Sequence, residues 1–339
     1  MKSPNMSNSI EFLSKYNKRN TSVELLRIVF MLLIIIGHVY AHGSNLDYQL
    51  IYSFAGQADT FWHTSMFSLC KIGVTGFMFI SGFYGIKFNF KKLLVLFLTS
   101  LFYFLLLSRG TGIRNVFQPY SCWWYLNSYI FVYSISPFIE YGFKVISEEK
   151  LRVVVALIFF YNYIGKYIAG ENSHDTELLI SIYVIARYLF YYYDKIKDFV
   201  FRYIRVKLSV CIITLFCFLT ILPLIEYNLG LPLVAYQMTM SNNSPLILFF
   251  VGSVVVYANS HTTHINIINW MATSTLAVYL ITDFPAIRNI VIPFLYGNMF
   301  NGISNLYLLV IFLGCIFVDK IRELLFSLIS RLFASNAIK

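Results

Sequence analysis

The sequence predicts an all-α fold, a polytopic membrane helical bundle of about ten transmembrane helices with both termini on the cytoplasmic side. Three observations predict it. Of the 339 residues, 58% are hydrophobic and only 12% are charged, and the mean hydropathy is +0.67. A soluble domain carries about a quarter of its residues as Asp, Glu, Lys or Arg, so this chain lacks the polar surface to cover a globule in water. Apolar runs long enough to read as membrane spans recur along almost the whole length. Finally, the basic residues sit in short clusters between those runs.

The expected spans lie near 23–41, 66–86, 91–108, 123–146, 151–168, 178–193, 206–226, 244–260, 270–292 and 302–319. The basic residues test the count independently. With the N-terminus inside, the inner segments collect 19 Lys and Arg and the outer loops only Arg109, Arg114 and Lys166. Translocating Lys or Arg is disfavoured, which produces this asymmetry, and an odd number of helices would break the alternation. The division that follows is an N-terminal cytoplasmic segment 1–20, a membrane domain 21–319 and a cytoplasmic amphipathic tail 320–339. In the tail, Leu324, Leu325, Leu328, Ile329 and Leu332 recur at helical spacing. They suit either an interfacial helix or a continuation of the last span.

The net charge of +10 belongs to these topology clusters and gives no reason to expect nucleic acid. Cys70, Cys122, Cys211, Cys217 and Cys315 show no CxxC or metal-ligand spacing and read as small core residues. His261 and His264 form an HxxH in an inner loop. Without a third ligand it does not make a metal site, and no metal is expected.

The first span carries the most chemistry. Glu24 and Arg27 are three residues apart and can pair on one helix face. His38 lies eleven beyond Arg27, which is roughly three turns, so both face the same way about 16 Å apart. Glu24 and Arg27 alone suit a charged anchor at the inner surface. His38 is a different matter. A titratable ring at that depth points to function, and imidazole is the side chain best suited to take a proton from an attacking hydroxyl. A structural histidine bonded to a neighbouring helix is the alternative.

The second span places glycines at 73, 76, 82 and 85, where helices can approach closely, with Thr75 and Ser81 as candidate cavity residues. Lys91 and Lys92 follow, suited to orientation and equally to holding phosphates. The fourth span opens on Trp123, Trp124 and Tyr125, which are either interfacial anchors or a platform on which sugars stack. Farther on, Ser134, Ser136 and Pro137 suggest a kink. Asp283 and Arg288 in the ninth span are an expected intramembrane pair, and Arg187 in the sixth has no partner legible in the sequence.

Glu24-x-x-Arg27 with His38 eleven further on resembles the first-span signature of the acyltransferase 3 family, integral-membrane O-acyltransferases that modify surface polysaccharides. The stretches Gly73–Phe77 with Ser81-Gly82-Phe83, Trp124–Leu126 through Ser136–Phe138, and Ser274–Asp283 with Arg288 are similar to its polysaccharide-acetylating branch. Some positions depart from the pattern. Glu24 replaces a common Asp, Thr75 a common Asn, and Lys91 and Lys92 stand where arginines are expected, without their bidentate geometry.

The resemblance implies a multi-pass protein of the bacterial cytoplasmic (inner) membrane. It would transfer an acyl group, acetyl in the simplest case, from acyl-CoA to a hydroxyl of a polysaccharide or lipid-linked glycan. Acyl-CoA would be a co-substrate, and no cofactor is bound permanently. The implied catalytic residues are His38, as general base or covalent acyl carrier, with Glu24 and Arg27. Arg27, Lys91, Lys92 and Ser81 would bind acyl-CoA, while Trp123, Trp124, Tyr125, Asp283 and Arg288 would hold the acceptor. A polysaccharide or lipid-linked sugar exporter, with buried charges lining its pathway, is the alternative reading, and a non-catalytic assembly subunit is a third.

Overall fold

A computed structural model describes residues 19–43, 58–108, 122–166, 175–193, 243–298 and 304–336, with isolated positions between 213 and 229. The expected span 206–226 and Cys211 lie outside the continuously described residues. Among the described residues every regular element is helical. In chain order these are α1 (Thr21–Gly43), α2 (Ala58–Tyr84), α3 (Phe90–Leu107), α4 (Trp124–Val145), α5 (Glu148–Phe159) and α6 (Asp175–Tyr191). They continue with α7 (Pro245–Ser260), α8 (Asn266–Ala272), α9 (Thr275–Thr282), α10 (Pro285–Gly297) and α11 (Ser304–Asn336). Thr21–Tyr40 of α1 and all of α3 are long and apolar enough to cross a membrane, and Cys70–Tyr84 and Pro245–Ser260 are shorter apolar helices.

Helix α2 is the centre of the bundle, packed by α1, α6 and α7. Its glycines explain the close approach. A Cβ at Gly73 would strike the Phe30 carbonyl and one at Gly76 the Phe30 ring, while a Cβ on Gly37 of α1 would strike Cys70. Small residues at helix contacts let dispersion act over short distances where lipid offers no hydrophobic drive. On the far side Gly82 meets the backbone of Tyr183 in α6. Gly85 ends the helix at φ +75°, a conformation glycine adopts without a Cβ penalty.

Contacts also fix helix directions. Gly37 against Cys70 and Phe30 against Gly76 make α1 and α2 antiparallel. Ser128 meets Thr176, and Glu140 meets Arg187, so α4 and α6 run the same way. At one end of α1, Thr21 bonds to Asn269 of α8; at the other, His38 faces Asp283 just past α9. The α8–α9 segment therefore runs alongside α1 in the same direction.

Two of the expected spans are interrupted. The fifth changes register after Phe159 into a π-helical turn, Phe160–Gly165. The ninth is broken: α8 and α9 meet α10 at 95°. The cause is local, because Phe284 sits extended before Pro285, which begins α10 without needing a backbone partner. In α4, by contrast, the helix runs through Pro137. The carbonyl that proline cannot bond, that of Tyr133, accepts from Ser136 Oγ at 2.7 Å instead.

Large apolar side chains stand exposed along several helices. On α11 these include Leu306, Val310, Phe317, Leu324 and Leu328, and on α3 Phe90, Val95 and Leu106. Exposed apolar surface on this scale marks a lipid-facing or partner-facing exterior. Helix α11 runs without interruption from Ser304 to Asn336, so the tail drawn at 320–339 begins inside it. At about 50 Å this helix exceeds the roughly 30 Å hydrocarbon core.

Candidate active site

A cavity of about 360 Å³ lies between α1, α2, α4 and the α8–α9 segment. Arg27, Met31, Ile34 and His38 form its α1 wall, following the helical stripe that their spacing dictates. Val74, Phe77 and Ser81 of α2 contribute a second wall, and Trp124, Tyr125, Tyr129 and Tyr133 of α4 a third. Thr273, Thr275, Leu276 and Tyr279 close the fourth side. The space is thus mainly apolar and aromatic, with an imidazole in one region and cations in another.

Arg19, Arg27 and Lys92 all line the cationic region. A single carboxylate serves two of them: Glu24 lies 3.4 Å from Arg27 and 3.6 Å from Arg19. Glu24 is buried behind the arginines and does not itself line the cavity. Lys92 belongs to the start of α3, where Asn89 caps the helix by accepting from the Lys92 backbone N–H at 3.2 Å. The Tyr133 hydroxyl accepts from Asn89 N at 3.1 Å and donates to its carbonyl at 3.3 Å, tying the lysine's turn to the tyrosine wall.

The imidazole region is ordered by a second set of charges. His38 Nδ1 lies 3.6 Å from Asp283 Oδ1, and the same oxygen lies 3.4 Å from Arg288 Nη1. Asp283 is buried at the corner where α9 stops, a position created by the break before Pro285. The His38 and His42 rings, one turn apart, have centroids at 5.7 Å.

The expected site residues therefore divide. His38, Arg27, Ser81, Lys92, Trp124 and Tyr125 share the cavity. Asp283 and Arg288 pair as their spacing suggests, but they face His38 from behind the lining. Lys91 is exposed and points elsewhere. Trp123 is fully buried, with Nε1 donating to the Leu280 carbonyl at 3.2 Å, so in the structure it is a core residue rather than a sugar platform. Thr75 is buried outside the lining. Arg187, without a partner in the sequence reading, has one: Glu140 of α4, at 2.6 Å.

A family model described as an acyltransferase domain matches residues 20–318. The chain belongs to the acyltransferase 3 family. It is accordingly an acyltransferase and a membrane protein, and the matched region contains the cavity and every charged group described around it except Arg19, which immediately precedes it. No curated protein and no solved structure matches the chain.

Among the cavity residues that sequence reasoning did not assign to the site are Tyr129, Tyr133, Tyr279 and Arg19. Tyr129 and Tyr133 continue Tyr125 at four-residue spacing, so the stripe was present in the sequence but was hidden by the interest of the preceding tryptophans. Tyr279 sits one turn before Asp283. Arg19 resembled every other positive charge ahead of a first span.

Proposed function

We propose that this protein is an integral-membrane O-acyltransferase moving an acyl group, acetyl in the simplest case, from acyl-CoA to a hydroxyl of a cell-surface polysaccharide or lipid-linked sugar. The observation that carries the reading is that Arg27 and His38, about 16 Å apart along α1, open onto one mainly apolar cavity. A phosphate-bearing donor with a long thiol arm matches such a cavity: charge at one end, reacting carbon at the other.

In this mechanism the donor's phosphates rest against Arg27 and Lys92, held by charge-assisted hydrogen bonds. Its pantetheine arm lies along the wall of Phe77, Tyr129 and Tyr133 and brings the thioester to His38. The imidazole takes the proton of the acceptor hydroxyl as that oxygen attacks the thioester carbonyl. When the tetrahedral adduct collapses, the C–S bond breaks and His38 returns the proton to the departing sulfur. Because Nδ1 faces Asp283, Nε2 is the nitrogen that remains for proton transfer. Asp283 then orients the ring and balances the imidazolium, and Arg288 anchors the Asp283 carboxyl from the other side. Glu24 sets Arg27 in the same indirect way. Trp124 and Tyr125 offer stacking faces to the sugar.

The accompanying topology is ten spans with both termini inside, in a bacterial cytoplasmic membrane. The parallel pairing of α4 with α6, and of α1 with the α8–α9 segment, is what alternate crossing requires of spans four and six and of spans one and nine. The test uses protein reconstituted in vesicles with labelled acetyl-CoA and glycan acceptor. Wild type should transfer label, and His38→Ala should lose about 10²–10⁴-fold in rate while inserting normally. Movement of sugar across the vesicle without label transfer would replace this reading with an exporter.

A further inference from the structure

We infer that Arg19 is a phosphate-binding residue, the third cation of a preorganised cradle at the charged end of the cavity. The inference rests on the nucleotide-thioester donor proposed above and assigns it a contact residue that the first-span signature does not include.

The argument begins with the backbone. A residue just before a helix is ordinarily free to fray. Here the Arg19 carbonyl accepts from His264 Nδ1 at 3.0 Å and from Asn269 Nδ2 at 3.2 Å. The next two residues are fixed to the same segment: Asn20 Nδ2 donates to the Ala258 carbonyl at 3.1 Å, and Thr21 N to the Thr263 carbonyl at 2.8 Å. Thr21 Oγ1 also accepts from Ile265 N at 2.7 Å. The loop holding the HxxH pair is thus a bracket for the chain entering α1, and His264 acts in it as a positioning residue.

The side chain is as available as its backbone is fixed. It lines the cavity, remains 37% exposed, and approaches Glu24 only to 3.6 Å, beyond hydrogen-bond length. Among the described residues its fork of donors has no hydrogen-bond partner. Arg19, Arg27 and Lys92 come from three segments around one mouth, and among the described residues these three cations face one carboxylate, Glu24. A multiply phosphorylated nucleotide meets that excess, and Arg19 supplies the bidentate geometry that lysine at 92 cannot. A phospholipid headgroup carries the same chemistry, so the test must separate the two.

Coenzyme A binding is measured on the full chain in nanodiscs of purely zwitterionic lipid and again with anionic lipid, with pantetheine, which lacks the nucleotide phosphates, as competitor. Arg19→Ala should weaken coenzyme A about tenfold or more, as expected for the loss of charge-assisted hydrogen bonds. Arg19→Lys should recover only part of this, and His264→Ala should shift binding in the same direction by less. Competition by pantetheine should change less than about twofold, and the exposed Arg152→Ala should leave coenzyme A binding as it is. The inference is overturned if Arg19→Ala weakens pantetheine as much as coenzyme A, if it has no effect, or if its effect appears only with anionic lipid. Arg19-dependent binding of coenzyme A without any acyl transfer would keep the cradle and remove the transferase reading.

Discussion

Arg187 and Arg27 lie in helices of one bundle, each facing a glutamate, yet their surroundings differ in kind. Around Arg187 the charges are closed. Glu140 lies 2.6 Å from its Nε and accepts from Nη2 at 2.9 Å, Nη1 donates to the Phe83 carbonyl, and the guanidinium stacks on Phe190 and Tyr191. Tyr183 also donates to Glu140 and accepts from Ile86 N, binding α2, α4 and α6 into one unit. Arg27 donates to its glutamate only through long bonds of 3.4 and 3.5 Å, shares it with Arg19 at 3.6 Å, and opens onto a cavity. A buried charge alone does not mark a site; an under-neutralised charge facing empty space does.

The largest expected effect separates the two clusters. Glu140→Ala strands the Arg187 guanidinium in the bundle and should cost about 3–5 kcal/mol in detergent unfolding, with little change in transfer per folded molecule. Glu24→Ala should cost under about 1 kcal/mol, since its two arginines are partly exposed. Its effect should appear as a higher KM for the acyl donor. Equal stability losses for both variants would erase the distinction.

Asp283 is the intermediate case, a buried carboxylate shared between a histidine and an arginine. Asp283→Asn should lower kcat by about 10²-fold or more with donor KM little changed, and Asp283→Glu should restore part of it. A purely structural aspartate would lower the thermal midpoint without splitting kcat from KM. The smallest contrast is between neighbours. Lys92→Ala should raise donor KM a few-fold, more at low salt than at high, whereas Lys91→Ala should do neither. If the two variants behave alike, the lysines act only through surface charge.

Much of the bundle was legible because hydropathy and basic clustering report burial in lipid directly. Span one, expected at 23–41, is Thr21–Gly43, and the eighth, expected at 244–260, is Pro245–Ser260. The break in the ninth went unread because apolar residues run on across Phe284-Pro285, although that dipeptide itself announces a corner. The Arg27–His38 stripe was readable because both residues lie on one helix and 3.6-residue periodicity relates them. The partner of Arg187 could not be read. Glu140 is 47 positions away, and only the packing of α4 on α6 brings it near. Arg19 was hidden differently, since a basic residue before a first span already has a sufficient explanation in topology.

The corner at Phe284–Pro285 divides the imidazole's surroundings between two helical segments. Helix α9 is wedged among α1, α3 and α11, while α10 leaves at a right angle and leans mainly on α1. Asp283 closes α9 on one side of this corner and Arg288 stands in α10 on the other. The ion pair beside the ring therefore joins two helical segments of different direction, and the packing of α10 on α1 holds that junction in place.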